Sequence, residues 1–196
     1  RDAVEAANTR IHDIGRSDLR FHGMGTTLTA VGVLEDYLYV AQIGDSRAYL
    51  VRNGKIAQIT HDQSYIQHLI DSGTITEKEA ESSVQRNVIL QALGPAPVVL
   101  VDLTYQELRR GDVVIVCSDG LTRVVKRDDM IELAARVEEP GLYCEELVEL
   151  ANLRGGPDNI TVVIARIDGV GLREPAETDS IGHQVYTLEN TPIPAD

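Results

Sequence analysis

The feature that most constrains the fold is a run of predicted strands separated by gaps too short to hold a helix. Residues rich in Val, Thr, Tyr and Leu occupy 27–34, 37–43, 47–52 and 56–59. Glu35-Asp36, Gly44-Asp45 and Asn53-Gly54 lie between them, and Asn-Gly is a strong signal for a tight hairpin. Parallel neighbours would need a crossover of about a dozen residues. The sequence therefore predicts an antiparallel meander.

The rest of the chain groups helices with helices and strands with strands. Helical spacing of apolar residues marks 3–14, 64–72, 127–137 and 142–152, and further strands are predicted over 98–103, 112–118 and 159–167. Segment 112–118 is apolar on both faces, which is typical of a central strand in a covered sheet. Because the elements do not alternate strictly, the sequence predicts an α+β fold with sheets covered by helices.

The charge of the chain is strongly negative. Its 196 residues contain 18 Lys plus Arg and 31 Asp plus Glu, which gives a net charge of −13. A nucleic-acid partner requires a Lys/Arg face, and no apolar run approaches the roughly 18 residues that span a bilayer. We therefore expect neither nucleic-acid binding nor direct membrane insertion, whereas the excess of carboxylates favours a cation.

Two features favour a cytoplasmic location. No signal peptide or lipidation motif is visible at either end. Cys117 and Cys144 lie in apolar patterns and lack the spacing of metal ligands. Both are predicted to be buried thiols, with a disulfide as the minor alternative.

Both ends of the chain suggest a longer protein. The sequence opens with Arg1, in the middle of a helical pattern. Residues 168–196 contain three prolines and no apolar period, so they are predicted to be a tail or linker.

Three aspartates lie beside glycine at predicted strand ends: Asp45, Asp119 and Asp158. Asp119 follows strand 112–118 and Asp158 precedes strand 159–167, so antiparallel pairing of these strands places both at one edge. Carboxylates gathered there would repel one another unless a hard cation such as Mg²⁺ or Mn²⁺ lay between them. The alternative for each aspartate is a helix cap or an Asx turn.

Six short blocks of sequence carry further information. They are GMGTTLTA (23–30), GDSRAY (44–49), THDQS (60–64), ALG (92–94), CSDGLT (117–122) and GPDNIT (156–161). Taken together and in this order, they resemble the metal-dependent type 2C serine/threonine protein phosphatases, the PPM family, and its bacterial members most of all. The resemblance covers residues 1–167, and six blocks in family order are far more specific than any one alone.

This resemblance implies a pair of antiparallel β-sheets flanked by helices, a four-layer α-β-β-α sandwich whose N-terminal strands are absent from the sequence. It also implies hydrolysis of phosphoserine and phosphothreonine, in proteins phosphorylated by a Ser/Thr kinase, by a water held between two Mn²⁺ or Mg²⁺ ions. Asp119 and Asp158 match aspartates that ligate one ion of that pair. Asp45 matches an aspartate near a weaker third metal site. Residues 1–167 would then form a partial catalytic domain.

The sequence departs from the family pattern in two places. The family's phosphate-gripping Arg, its acidic neighbour and an Asp-Gly-x-Gly-Gly motif whose Asp bridges both ions are absent, as is the His proton donor beside that motif. Arg123 stands where the family usually has a further Asp, and a guanidinium facing the carboxylates would oppose a third ion. An Arg123 that points to solvent is the alternative. We expect His61 and His68 to have surface or capping roles.

Two other functions stay open at this point. A phosphatase-like regulatory or binding domain without catalysis fits the absent motifs and Arg123, although the intact flanks of the aspartate pair oppose it. An esterase is suggested by Ser46, because Gly-Asp-Ser occurs around the nucleophile of a lipase-like family. Its nearest Asp/His partners, Asp179 and His183, are one residue too far apart for that family, and the residues after Ser46 read as a strand.

Overall fold

The four predicted strands are present in the computed structural model, which describes residues 1–80, 83, 85 and 88–187. They do not form one continuous meander, because the second and third strands belong to different sheets. The four strands are β1 (Leu28–Leu34), β2 (Tyr37–Ile43), β3 (Arg47–Arg52) and β4 (Lys55–Gln58). Asn53 and Gly54 have φ values of 49° and 70°, which is the left-handed conformation that a tight hairpin turn requires. The hairpin prediction is therefore confirmed.

The rest of the described chain contains six α-helices, one 3₁₀ turn and three further strands. They are α1 (Asp2–Ser17), a 3₁₀ turn (Leu19–Phe21), α2 (Tyr65–Asp71), α3 (Glu77–Ala80), β5 (Asp102–Glu107), β6 (Val113–Cys117), α4 (Asp119–Thr122), α5 (Arg127–Arg136), α6 (Pro140–Leu153) and β7 (Val162–Arg166). The strands build two sheets, in the orders β1-β2-β5 and β4-β3-β6-β7. The β3–β4, β3–β6 and β6–β7 pairs are antiparallel, and the predicted α+β fold of antiparallel sheets with helices is confirmed.

The described chain divides into two compact units. The first comprises Arg1–Ala30, Ala41–Ser46 and His61–Asp102, and the second comprises Val31–Val40, Arg47–Thr60 and the residues from Leu103 onward. In the first unit, α1 packs Val4 and Ile11 against a small core that contains Ile43 of β2.

The second unit is built around β6, whose two faces are both covered. On one face, Val114 packs with Leu38 of β2 and Leu50 of β3, so strands of the two sheets share a core. On the other face, Ile115 and Cys117 pack against the α4–α6 region through residues such as Leu121, Met130, Tyr143 and Leu147. Each such buried aliphatic side chain contributes about 1.5–3 kcal/mol to folding. This two-sided burial explains why the β6 sequence is apolar throughout, as predicted for a central strand.

Both cysteines are free thiols, so the prediction that they form no disulfide is confirmed. Cys117 is buried in β6 as expected, but Cys144 on α6 is only half-buried. Among the described helices, none combines the length and the apolar character that crossing a bilayer demands.

Residues 168–187, which we call the C-terminal strap, are part of the second unit and contact its strands, although the sequence predicts a tail or linker there. They contain no helix or strand. The backbone N–H of Tyr105 donates to the carbonyl of Gln184 at 3.0 Å, and that of Tyr186 donates to the carbonyl of Leu103 at 2.7 Å. The Tyr186 ring also meets the Tyr39 ring edge-on, with centroids 5.7 Å apart. Residues 188–196 lie outside the described residues, and the position at which a catalytic domain ends stays a prediction.

A paired arginine fixes the middle of the strap. Arg109 donates from Nε and Nη2 to the two carboxylate oxygens of Asp179, at 2.9 and 3.1 Å. This pair lowers the pKa of Asp179 from 3.8 to about 2. Arg110 adds a second ion pair, with Glu174 at 2.5 Å. Charge pairing and backbone hydrogen bonds hold this segment together with Leu172 and Ile181, which pack against the core that contains Val114.

We expect Asp179→Asn to lower the free energy of unfolding at pH 7. Because the folded-state pKa of Asp179 lies below its ordinary value of 3.8, its contribution is present above about pH 4 and is lost as the pH falls towards about 2. Urea titrations of both proteins between pH 7 and pH 2 should show their difference in stability closing over that range. Glu177→Gln removes a charge two residues away and serves as the control. Equal stabilities of the Asp179→Asn variant and the wild type at pH 7 would contradict this account of the strap.

Candidate metal centre

The register of β6 and β7 brings two of the three predicted site residues to one edge of the sheet. Cys117 is paired with Val162 in the last rung of the antiparallel ladder. One step beyond it, the N–H of Ser118 donates to the carbonyl of Thr161 at 3.0 Å, and the N–H of Thr161 donates to Ser118 Oγ at 3.0 Å. The chain then turns into α4 at Asp119 on one side, while the other side is preceded by the loop that carries Asp158.

Gly120 allows the start of α4 to lie directly against that loop. A Cβ atom at Gly120 would lie 2.3 Å from the Asn159 carbonyl oxygen and 3.4 Å from Asp158 Cβ. Ser118 Oγ donates to the same carbonyl at 3.2 Å. Sequence reasoning did not identify Gly120 as a site residue, although a glycine directly after a strand-end aspartate is the signal that could have done so.

A single guanidinium contacts both carboxylates. Arg123 donates from Nη2 to Asp119 Oδ2, and its Nη1 lies 3.3 Å from Asp158 Oδ2. The other oxygen of Asp158 accepts the backbone N–H of Asn159 at 2.8 Å, so this carboxylate also makes the local contact expected of a turn residue. The Asp119 and Asp158 side chains are 33% and 45% exposed. Of the two orientations considered for Arg123, the inward one is therefore correct.

Asp45 belongs to the first compact unit, in the turn between β2 and β3. The adjacent Gly44 has a φ of 101°, and a Cβ atom there would lie 2.5 Å from Thr27 Cγ2, so only glycine suits this turn. The backbone N–H of Gly44 donates to Gln63 Oε1 at 2.8 Å. In the part of the chain that the structure describes, no group of three or more His, Cys, Asp or Glu side chains is arranged to hold a metal. A ligand role for Asp45 stays a prediction, and the arrangement that favours a cation is the Asp119–Asp158 pair.

The side chains that a histidine acid or a serine esterase would use make other contacts in this structure. His61 Nε2 lies 2.8 Å from Asp71 Oδ2, and the imidazole is 43% exposed, which agrees with the predicted surface role. Ser46 Oγ lies 3.0 Å from Thr27 Oγ1. Both carboxylate oxygens of Asp179, the acid that an esterase would require, are bound by Arg109.

Comparisons with known proteins point in one direction. Residues 1–150 match the family model for protein phosphatase 2C. The chain is 40% identical over 163 residues to a putative protein phosphatase 2C-type from Streptococcus pyogenes, covering 83% of this chain and 66% of that protein. It is 42% identical over 165 residues to the serine/threonine protein phosphatase PstP of Mycobacterium tuberculosis, covering 84% of this chain and 32% of PstP.

A solved structure gives the same result. The crystal structure of the catalytic domain of PstP in complex with two manganese ions superposes with a TM-score of 0.77 at 39% identity, covering 86% of this chain and 70% of that one. This chain therefore spans about two thirds of the Streptococcus relative and about one third of PstP.

We expect Gly120→Ala to move the Asp158 loop away from α4. Because the new Cβ would meet backbone rather than a movable side chain, the substitution should cost about 1–3 kcal/mol of folding free energy. Urea denaturation measures this cost, and backbone NMR shifts should change at residues 156–161. Gly171→Ala, at a position where a Cβ meets nothing within 4 Å, is the matched control. Unchanged stability together with unchanged shifts in that loop would show that the close approach is not real.

Proposed function

The chain belongs to the protein phosphatase 2C family, and on this premise we propose that it forms most of the catalytic domain of a metal-dependent serine/threonine protein phosphatase. The observation that carries the proposal is the pair of carboxylates, Asp119 and Asp158, that two adjacent strand ends direct towards one cationic group. Membership of the family indicates the type of reaction, which is hydrolysis of a phosphate ester, and the carboxylate pair is the proposed binding site for the metal ion.

The chemistry of the pair fits a hard divalent cation. Both groups offer carboxylate oxygen, which Mg²⁺ and Mn²⁺ prefer, and both are partly exposed and therefore accessible. When bound, such an ion lowers the pKa of a coordinated water towards neutrality and offsets the charge of a phosphoryl group. Asp119 and Asp158 would hold the ion, while Ser118 and Gly120 keep the two loops at a fixed separation.

The negative charge of the chain gives a bound cation a second role, which is to attract the phosphorylated substrate. A phosphorylated substrate approaching a protein of net charge −13 is repelled at long range, and a divalent ion at the substrate site provides local attraction. We expect Mn²⁺ or Mg²⁺, with two ions in the complete domain. An Asp-Gly-x-Gly-Gly motif, which would supply a bridging ligand, does not occur among residues 1–196, so the second ion depends on residues outside this sequence.

The physiological partners we propose are proteins phosphorylated on serine or threonine by a kinase, in the cytoplasm. Support comes from the relatives, whose names describe serine/threonine phosphatases. The second candidate function is a phosphatase-like regulatory or binding domain without turnover. Arg123 favours it, because the guanidinium already occupies the carboxylate pair.

We expect the protein in its natural length to hydrolyse a phosphothreonine peptide only when Mn²⁺ or Mg²⁺ is present. Asp119→Asn and Asp158→Asn should each lower kcat/KM by about 100-fold or more, because an amide is a weaker ligand than a carboxylate. Asp129→Asn is the matched control, since Asp129 is likewise bound to an arginine, Arg154, at 2.6 Å. Turnover in excess chelator, or wild-type activity of Asp119→Asn, would exclude the proposal. Metal binding without turnover would favour the regulatory domain.

Ser46→Ala separates the phosphatase from the esterase. Because the attacking group in the proposed reaction is a water, the variant should keep phosphatase activity within about 3-fold of wild type, whereas loss of a serine nucleophile costs on the order of 10⁶. Phosphopeptide and short-chain ester hydrolysis are measured on the same preparation. Ester cleavage by the wild type that disappears in Ser46→Ala, with no phosphatase activity in either protein, would support the esterase instead.

A further inference from the structure

Arg123 lies between the two carboxylates that are proposed to hold the metal ion. Each carboxylate faces a different nitrogen of the same guanidinium, Asp119 at Nη2 and Asp158 at Nη1. The Arg123 side chain is 18% exposed, against 33% and 45% for the two aspartates. The Arg123 side chain is therefore the least exposed of the three, and its guanidinium contacts both carboxylates.

The backbone directs the guanidinium to this place. Arg123 follows Asp119 by four residues, and its N–H donates to the Asp119 carbonyl at 3.0 Å, as in a helical turn. Side chains four residues apart on a helix share a face. Gly120, on the intervening turn, brings the Asp158 loop to that face. The backbone therefore tethers a positively charged guanidinium beside the two carboxylates.

We propose that Arg123 is a tethered cation that competes with the divalent ion for Asp119 and Asp158, so that loading the site requires the guanidinium to leave the pair. This inference rests on the proposed function, because it takes the two aspartates as metal ligands. The Oδ2 atoms that would be shared already contact Arg123, through a hydrogen bond at Asp119 and an ion pair at 3.3 Å at Asp158. Two cations held at such short range in a half-buried site also repel each other strongly.

Competition of this kind gives the site two states. Without the divalent ion, Arg123 neutralises the pair and removes the repulsion between its carboxylates. With the ion, the long arginine side chain turns towards solvent. Arg123 thereby raises the concentration of divalent ion at which the site becomes loaded, and it stabilises the unloaded fold.

The test is a Mn²⁺ titration of the natural-length protein, with free Mn²⁺ followed by electron paramagnetic resonance. Arg123→Gln keeps a polar side chain but removes the charge, and Mn²⁺ affinity should rise at least about 5-fold. Arg123→Lys keeps the charge but loses the two-pronged geometry, and its affinity should lie between those of Arg123→Gln and the wild type. In the absence of metal, Arg123→Gln should have a lower Tm than the wild type. Addition of Mn²⁺ should raise the Tm of Arg123→Gln by more than it raises the Tm of the wild type.

Arg136→Gln is the control, since Arg136 forms an exposed ion pair with Glu146 and its substitution changes the net charge equally. Its Mn²⁺ affinity should match that of the wild type within about 2-fold. An Asp119-dependent Mn²⁺ site whose affinity is unchanged or lower in Arg123→Gln would overturn the competition while leaving the proposed metal site intact. Mn²⁺ binding that is insensitive to Asp119→Asn would overturn both.

Discussion

The antiparallel ladder between β6 and β7 is the constraint on which the proposed site depends. Its register runs from Val113↔Arg166 to Cys117↔Val162, and the aspartate positions follow from where it ends. A slip of one residue would turn every side chain of a strand to the opposite face. In β6, such a slip would exchange the side chains that pack against α4–α6 with those that pack with Leu38 of β2 and Leu50 of β3. Packing in these two cores therefore fixes the register. The geometry of the carboxylate pair is thus secured by apolar contacts away from it.

Charge compensation is the second condition for the site. The two carboxylates are held together by the hydrogen bonds between Ser118 and Thr161 and by the close approach at Gly120, and neither contact removes their repulsion. A positive group between them does so, and in this structure that group is Arg123. The same arrangement that makes the pair suitable for a divalent ion therefore makes it suitable for an internal guanidinium. Under the proposed competition, the balance between these two cations would set the concentration of divalent ion at which the site is loaded.

Sequence reasoning succeeded where local chemistry decides the structure. The Asn53-Gly54 turn and the two-sided apolar character of β6 follow from rules that act within a few residues. The shared edge of Asp119 and Asp158 follows once the strands that they flank are paired antiparallel. It did not predict the contacts of the C-terminal strap, because backbone pairing at Tyr186, the Arg109–Asp179 ion pair and the two separate apolar contacts of Leu172 and Ile181 form no apolar period. The direction of Arg123 stayed open for a related reason. The four-residue spacing from Asp119 was visible, but the position of the Asp158 loop on the same face depends on tertiary packing at Gly120.

The most direct test of the account is a crystal structure of the natural-length protein grown with Mn²⁺, with the ions located from anomalous scattering. We predict one Mn²⁺ directly ligated by carboxylate oxygens of both Asp119 and Asp158, with the Arg123 guanidinium turned away from them. Fully occupied Mn²⁺ elsewhere, with Arg123 still bridging the two aspartates, would contradict this prediction.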